Sequence, residues 1–171
     1  MIDLSVLFVC WSNTCRSPMA RIVAKTMAER ENLNGVRFMS AGLSAAQAGN
    51  GMDPRAVAAL QAAGYKPGPH ASHRVTPEEI RAASMVIGMQ PIQLRKIKQM
   101  APDARTLYLL TDFDRNAMPG SAIEDPLYGD DSSFEVTLHQ IEAAMPGVLK
   151  RVRELRALWV PGPAGGPGAH R

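Results

Sequence analysis

Short apolar runs alternate with amphipathic stretches along most of the chain. Runs rich in apolar and β-branched residues predict four buried strands, at residues 4–9, 36–40, 85–89 and 106–110. Apolar residues at three- and four-residue intervals predict the longer helices, at about residues 18–31, 54–63, 91–100 and 134–155. Because strands alternate with helices, the pattern predicts an α/β domain with a parallel sheet.

Several helix starts carry capping signals. Ser17 precedes Pro18, which predicts an N-cap followed by proline at the first helical position. The pair Asp53-Pro54 predicts a start of the same kind. Residues 76–79 (TPEE) and 132–135 (SSFE) have the capping-box pattern, which predicts a short helix and the long final helix.

Length and composition fit one domain with its own core, since 46% of the 171 residues are hydrophobic. We expect this domain to span residues 1–158 and the Pro/Gly-rich segment 159–171 to be a disordered tail. No apolar run is long enough to predict a membrane span, and the first apolar stretch contains Asp3, unlike a signal peptide. Both cysteines lie in the opening stretch, which favours a reducing cytoplasm over a disulfide framework.

Charge and histidine spacing narrow the class further. The net charge of +3 suits an anionic substrate, but no dense basic stripe indicates a nucleic acid partner. The four histidines have no ligand spacing with the two cysteines, so we expect no metal site.

The stretch VLFVCWSNTCRSPMAR contains the first candidate chemistry. Cys10 follows the first strand, where parallel sheets bind ligands, and Arg16 lies six residues further on. A five-residue loop between a strand and a helix start can form an anion nest, to which the helix end and an arginine fork contribute. A thiol in this setting is expected to be a thiolate nucleophile for a phosphate ester. The alternative is an ordinary buried core cysteine.

Phosphate ester cleavage also requires a general acid for the leaving oxygen. Asp125 is the best candidate, because it precedes a proline in an extended loop that follows the fourth strand. The alternative is that Asp125-Pro126 forms an ordinary turn.

Four segments resemble the low-molecular-weight protein tyrosine phosphatase family: VLFVCWSNTCRSPMA, SAG at residues 40–42, DPRA at residues 53–56 and EDPLYGDDSSFE. The resemblance covers roughly residues 4 to 155. It implies a single domain with a four-stranded parallel sheet in the order 2-1-3-4, helices on both faces and no cofactor. It also implies Cys10 as nucleophile, Arg16 as phosphate ligand, Ser17 as donor to the thiolate and Asp125 as general acid.

The same resemblance assigns a phosphate-binding loop and its support. The loop residues that follow the nucleophile are Trp11, Ser12, Asn13, Thr14 and Cys15. Asn13, Ser40 and His70 match a network that holds the loop in shape, although His70 also fits an ordinary loop histidine. Cys15 matches a cysteine that forms a reversible disulfide with the nucleophile in many members; the alternative is that it packs beneath the loop.

The chain departs from the family around the expected substrate pocket, which Trp11, Leu127 and Tyr128 would line. Trp11 replaces a smaller residue, Ser12 replaces a usual glycine, and Leu127 stands where many members have an aromatic residue. Gln90 replaces a frequent aspartate. The chemistry is therefore retained while the pocket wall is altered.

Several functions remain open at this stage. The leading one is dephosphorylation of phosphotyrosine in proteins, with a bacterial tyrosine kinase as a candidate partner. Phosphoarginine hydrolysis is an alternative, but family members with that activity have threonine at the position of Trp11. An arsenate reductase would require further cysteines after Cys15, which the sequence lacks. A non-catalytic module that binds phosphate or another oxyanion would be expected to have lost Cys10, Arg16 or Asp125.

Overall fold

A computed structural model describes residues 3–158. Four strands form one parallel sheet in the order β2-β1-β3-β4, as predicted. The strands are β1 at Leu4–Cys10, β2 at Val36–Gly42, β3 at Met85–Gly88 and β4 at Leu107–Leu109. The predicted disordered tail of residues 159–171 lies outside the described residues and stays a prediction.

Five helices connect or follow the strands within residues 3–158. They are α1 at Arg16–Arg30, α2 at Pro54–Ala62, α3 at Pro77–Ala82, α4 at Pro91–Met100 and α5 at Asp131–Ala157. Two 3-10 turns lie at Leu110–Phe113 and Pro126–Tyr128. None of the helices in this part of the chain is long and apolar enough to cross a membrane.

Strand β1 lies at the centre of the sheet, and all seven of its residues are buried. Its side chains alternate between the faces of the sheet, as the strand repeat requires. Val6 and Phe8 pack in a cluster with residues of α1, α2 and α5, whereas Leu7 and Val9 pack in a second cluster with residues of α3 and α4. The expectation of helices on both faces is therefore confirmed.

Two predicted helix starts are wrong, and both errors have a local cause. Helix α1 begins at Arg16, not at Pro18, and Ser17 does not cap it because its hydroxyl lies within hydrogen-bonding distance of the Cys10 sulfur. Helix α5 begins at Asp131, because the carboxylate of Asp130 accepts from the Ser133 amide and takes the capping role assigned to Ser132. The capping box at residues 76–79 is confirmed.

Helix α5 contains the pair Pro146-Gly147 in its middle. A Cβ atom on Gly147 would overlap the carbonyl oxygen of Phe113 and lie 3.1 Å from its carbonyl carbon. Because those are backbone atoms of the 3-10 turn, a side-chain rotation cannot relieve the overlap. Gly147 therefore permits the close approach of α5 to the segment that follows β4.

We expect Gly147→Ala to destabilise the protein by about 1–3 kcal/mol through overpacking. Helix propensity alone predicts the opposite sign, because alanine is favoured over glycine by about 1 kcal/mol in a helix. Urea unfolding followed by circular dichroism measures the difference. Gln140→Ala, on an exposed position of the same helix, is the control and should change stability by less than about 0.5 kcal/mol. A Gly147→Ala protein as stable as the wild type would contradict the steric account.

Candidate active site

Cys10 ends β1 at the carboxyl edge of the sheet, in register with Gly42 of β2. Its side chain is almost fully buried. The chain then forms the loop of residues 11–15 and enters α1 at Arg16. The direction in which successive strands are added to the sheet changes at β1. The carboxyl edge beside such a change is where α/β sheets bind ligands. The structure therefore positions Cys10 as the sequence predicts.

The Cys10 sulfur is close to two hydrogen-bond donors. The Asn13 backbone amide donates to it from 3.3 Å, and the Ser17 hydroxyl is 3.0 Å away. The Ser17 oxygen is also 3.2 Å from the Ala41 carbonyl oxygen and accepts from the Asn13 side-chain amide. A hydroxyl has one proton to donate. When the Cys10 sulfur is anionic, the Ser17 hydroxyl donates its proton to the sulfur. When the sulfur is protonated, the hydroxyl can donate to the Ala41 carbonyl oxygen instead.

Asn13 holds the loop in an unusual backbone conformation, with φ at 59°. Its side-chain oxygen accepts from the His73 backbone amide, and its carbonyl oxygen accepts from His70 Nε2 and Ser72 Oγ, each at 2.7 Å. The left-handed region costs most residues energy, and asparagine tolerates it better than most. These hydrogen bonds fix both the turn and the amide that faces the sulfur.

The supporting network differs from the sequence prediction at one position. His70 and Asn13 take part, but the Ser40 side chain, although buried in β2, makes no hydrogen bond within residues 3–158. Ser72, which sequence reasoning missed, donates to Asn13 instead. Burial lowers the pKa of His70, the hydrogen bond to the Asn13 carbonyl opposes this shift in part, and the nearby Arg21 adds to the lowering. The imidazole is therefore neutral at neutral pH, and its Nε2–H donates to the loop.

Arg16 joins the loop to two later segments of the chain. Its buried guanidinium donates from Nη1 to Gln90 Oε1 at 2.8 Å and to the Ile123 carbonyl oxygen at 2.9 Å. Its Nη2 lies 3.1 Å from Asp125 Oδ2. Asp125 is partly exposed, and its other oxygen accepts from the Leu127 amide. The structure thus brings the predicted acid and the predicted phosphate ligand together.

Sequence reasoning missed Gln93 and the contact of Gln90 with this arginine. Gln93 is almost fully buried, and its side-chain oxygen accepts from the backbone amides of Met89 and Gln90. Its nitrogen donates to Gln90 Oε1, the oxygen that also accepts from Arg16. In the sequence, Gln90 is visible only as a departure from the family, and Gln93 gives no signal beyond an ordinary helix start.

The start of α1 suits a bound anion. Cys15 occupies the N-cap position without a side-chain cap, and the first turn contains no acidic residue. The partial positive charge of the helix end is therefore not neutralised by a capping carboxylate. This feature, with Arg16 at the first helical position, gives the loop the electrostatic character that the sequence predicts for an anion nest.

Cys15 is a buried free thiol, and so is Cys10. The Cys15 sulfur lies 3.6 Å from the Met19 sulfur. Burial raises the pKa of Cys15 well above its usual range, and the neighbouring Cys10 adds to the shift. Cys15 is therefore a protonated thiol packed beneath the loop.

A cleft of about 430 Å³ opens beside the loop. The predicted pocket residues Trp11, Leu127 and Tyr128 all line it, together with Ser12 and Thr14. The replacement of glycine at position 12 causes no backbone strain, because Asn13 and Asn32 are the non-glycine residues with positive φ in the described chain. The Ser12 and Thr14 hydroxyls instead lie 2.8 Å apart.

Comparison with known proteins agrees with this geometry. The family model described as low molecular weight phosphotyrosine protein phosphatase matches residues 5–157. The chain belongs to this family.

Several relatives and solved structures cover almost the whole described chain. A protein named low molecular weight protein-tyrosine phosphatase A from Mycobacterium tuberculosis is 37% identical, over 85% of this chain and 89% of its own. The human low molecular weight phosphotyrosine protein phosphatase is 32% identical, over 80% and 87%. A mutant of the YwlE arginine phosphatase with a phosphorylated active-site serine has a TM-score of 0.82 and 29% identity, over 91% and 100%.

Gly42 is a further residue on which the loop depends. A Cβ atom there would be 2.9 Å from the Ser12 carbonyl carbon and the Trp11 carbonyl oxygen, and 3.0 Å from the Asn13 nitrogen. All three are backbone atoms of the loop, so they can give way only if the loop itself moves. The sequence shows Gly42 within the SAG motif but not this close approach.

We expect Gly42→Ala to weaken the binding of inorganic phosphate about tenfold or more, since overpacking of 1–3 kcal/mol would fall on the loop. Isothermal titration calorimetry measures the affinity, and thermal unfolding checks that the variant is folded. Gly51→Ala is the control, because its methyl group would lie 3.8 Å from the nearest atom, an ordinary contact. Equal phosphate affinity in Gly42→Ala and wild type would show that the loop does not need this glycine.

Proposed function

We propose that the protein hydrolyses phosphomonoesters through a cysteinyl-phosphate intermediate and that its substrate is phosphotyrosine in proteins. The observation that carries the proposal is the 3.1 Å contact between Arg16 and Asp125, 109 residues apart in sequence, beside a nucleophile-bearing loop. A nucleophile, a cation for the phosphoryl oxygens and an acid for the leaving oxygen are the groups that this reaction needs.

In the first step, the Cys10 thiolate attacks phosphorus while the bond to the ester oxygen breaks. Arg16 and the start of α1 stabilise the charge on the phosphoryl oxygens. A phosphate dianion competes with the Asp125 carboxylate for Arg16, so substrate binding loosens the ion pair. Asp125, freed from Arg16, takes up a proton from solvent and then gives this proton to the leaving tyrosine oxygen. The products of this step are an unphosphorylated tyrosine side chain in the substrate protein and a sulfur–phosphorus bond on Cys10.

In the second step, water attacks phosphorus and the sulfur–phosphorus bond breaks. The Asp125 carboxylate accepts the proton of the water, which restores the acid for the next cycle. Cys10 leaves as a thiolate, which the Asn13 amide and the Ser17 hydroxyl stabilise through the contacts at 3.3 and 3.0 Å. Inorganic phosphate is released.

The choice of phosphotyrosine rests on the cleft and on the relatives. Trp11 and Tyr128 offer apolar ring surface beside the loop, where an aryl group can stack. Relatives of at least 30% identity are named as tyrosine phosphatases. We further propose a bacterial tyrosine kinase as the phosphorylated partner and the cytoplasm as the compartment, where Cys10 stays reduced.

Hydrolysis of p-nitrophenyl phosphate tests the chemistry. We expect Cys10→Ser to abolish turnover and Asp125→Ala to lower kcat by about 10²–10⁴, the contribution of a positioned general acid. Asp131→Ala removes an exposed carboxylate six residues away and is the matched control, with activity near that of the wild type. The proposal fails if wild type is no faster than Cys10→Ser.

Phosphoarginine hydrolysis is a second candidate, favoured by the match to the YwlE arginine phosphatase. Trp11 argues against this activity, because its bulky side chain lines the cleft where family members with that activity have threonine.

We expect wild type to cleave a phosphotyrosyl peptide at least about tenfold faster than the phosphoarginyl analogue, which corresponds to about 1.4 kcal/mol from contacts in the pocket. Trp11→Thr should lower this ratio. Phosphate release from both peptides measures it, and an unchanged ratio would remove Trp11 from substrate selection.

A further inference from the structure

A second depression adjoins the cleft described above. It has a volume of about 350 Å³, and Trp11 lines both cavities, so they are neighbours at this residue. We refer to this depression as the basic groove, lined by Trp11, Leu43, Arg74, Lys96, Gln99 and Met100.

The groove is positively charged and its charges are not neutralised locally. Its lining includes Arg74 and Lys96 but no carboxylate. Neither cation forms an ion pair within the described residues, whereas Arg81 of α3 pairs with Asp103. The Lys96 amine lies 5.6 Å from the centre of the Trp11 ring, which keeps it at the boundary between groove and cleft. Helix α4 carries three basic residues and no acidic one.

Leu43 and Met100 add apolar surface to the lining of the groove. This combination fits a side chain with a short apolar stem and a negative end. An extended peptide advances about 3.3–3.6 Å per residue, so a residue within a few positions of the phosphotyrosine can reach past Trp11. Phosphate in the loop and a carboxylate in the groove can therefore belong to one substrate chain.

We propose that the basic groove binds an acidic side chain next to the phosphotyrosine, so that the enzyme prefers acidic phosphopeptides. The proposal rests on the proposed function and names the substrate class of that site. Lys96 supplies the charge nearest to Trp11, and Arg74 supplies the second charge. Neither residue takes part in the chemical step.

The test compares pairs of phosphotyrosyl peptides in which one peptide has Glu and the other has Gln at a single position. Separate pairs place this position at each site from three residues before to three residues after the phosphotyrosine. We expect kcat/KM at low salt to be about fivefold higher for the Glu peptide at one or more positions, the effect of an exposed ion pair near the upper end of its range. The ratio should fall as sodium chloride screens the charges. Lys96→Glu should abolish the preference and favour a Lys peptide at the same position.

Arg95→Gln is the matched control, because it removes one positive charge from α4 outside the groove. The ratio of kcat/KM for the Glu peptide to that for the Gln peptide should stay at the wild-type value in this variant and fall towards one in Lys96→Gln and Arg74→Gln.

If wild type cleaves Glu and Gln peptides equally well at every position, the groove proposal is overturned while the proposed function stands. If it cleaves no phosphotyrosyl peptide, the proposed function itself fails. A preference that Arg95→Gln removes as strongly as Lys96→Gln would assign the effect to overall charge.

Discussion

The left-handed turn at Asn13 is the constraint on which the rest of the site depends. It costs backbone energy, and it persists because His70, Ser72 and the His73 amide hold its two oxygens. The same turn directs the Asn13 amide at the Cys10 sulfur and the side-chain nitrogen at Ser17. Since these partners come from the segment after α2, the shape of the loop is set by a part of the chain about sixty residues away.

Arg16 has the corresponding role for the acid. Its guanidinium is buried, and a buried charge is tolerated only where it is paired and hydrogen-bonded. Gln90, the Ile123 carbonyl and Asp125 meet that need, so the stability of the folded protein and the assembly of the site share the same contacts. Asp125, the proposed acid, is therefore held at the loop, and in the proposed mechanism the dianion of a phosphate ester has to take over part of the guanidinium.

Substrate choice depends on a different set of residues. Trp11 lines both the cleft and the basic groove, and Leu127 and Tyr128 also line the cleft. Cys10 and Arg16 are buried and are fixed by hydrogen bonds, but these wall residues are exposed. Substitutions of these wall residues can therefore change the substrate preference without disturbing the loop. This agrees with the sequence, which keeps the chemistry-bearing residues of the family and departs from the family around the pocket.

Local pattern determined most of the fold, because the apolar periods of strands and helices are properties of short segments. The four strands and the candidate roles of Cys10, Arg16 and Asp125 could be predicted from such segments. The order of the strands came from the family resemblance. For Ser17 the sequence indicated two roles, helix cap and donor to the Cys10 sulfur, and the structure shows the contact with the sulfur and no cap. The sequence could not reveal that Ser72 and Gln93 support the loop and Arg16. It also could not show that Gly42 and Gly147 allow backbones to touch. Those facts depend on which distant segments meet, and only the packed tertiary structure decides that.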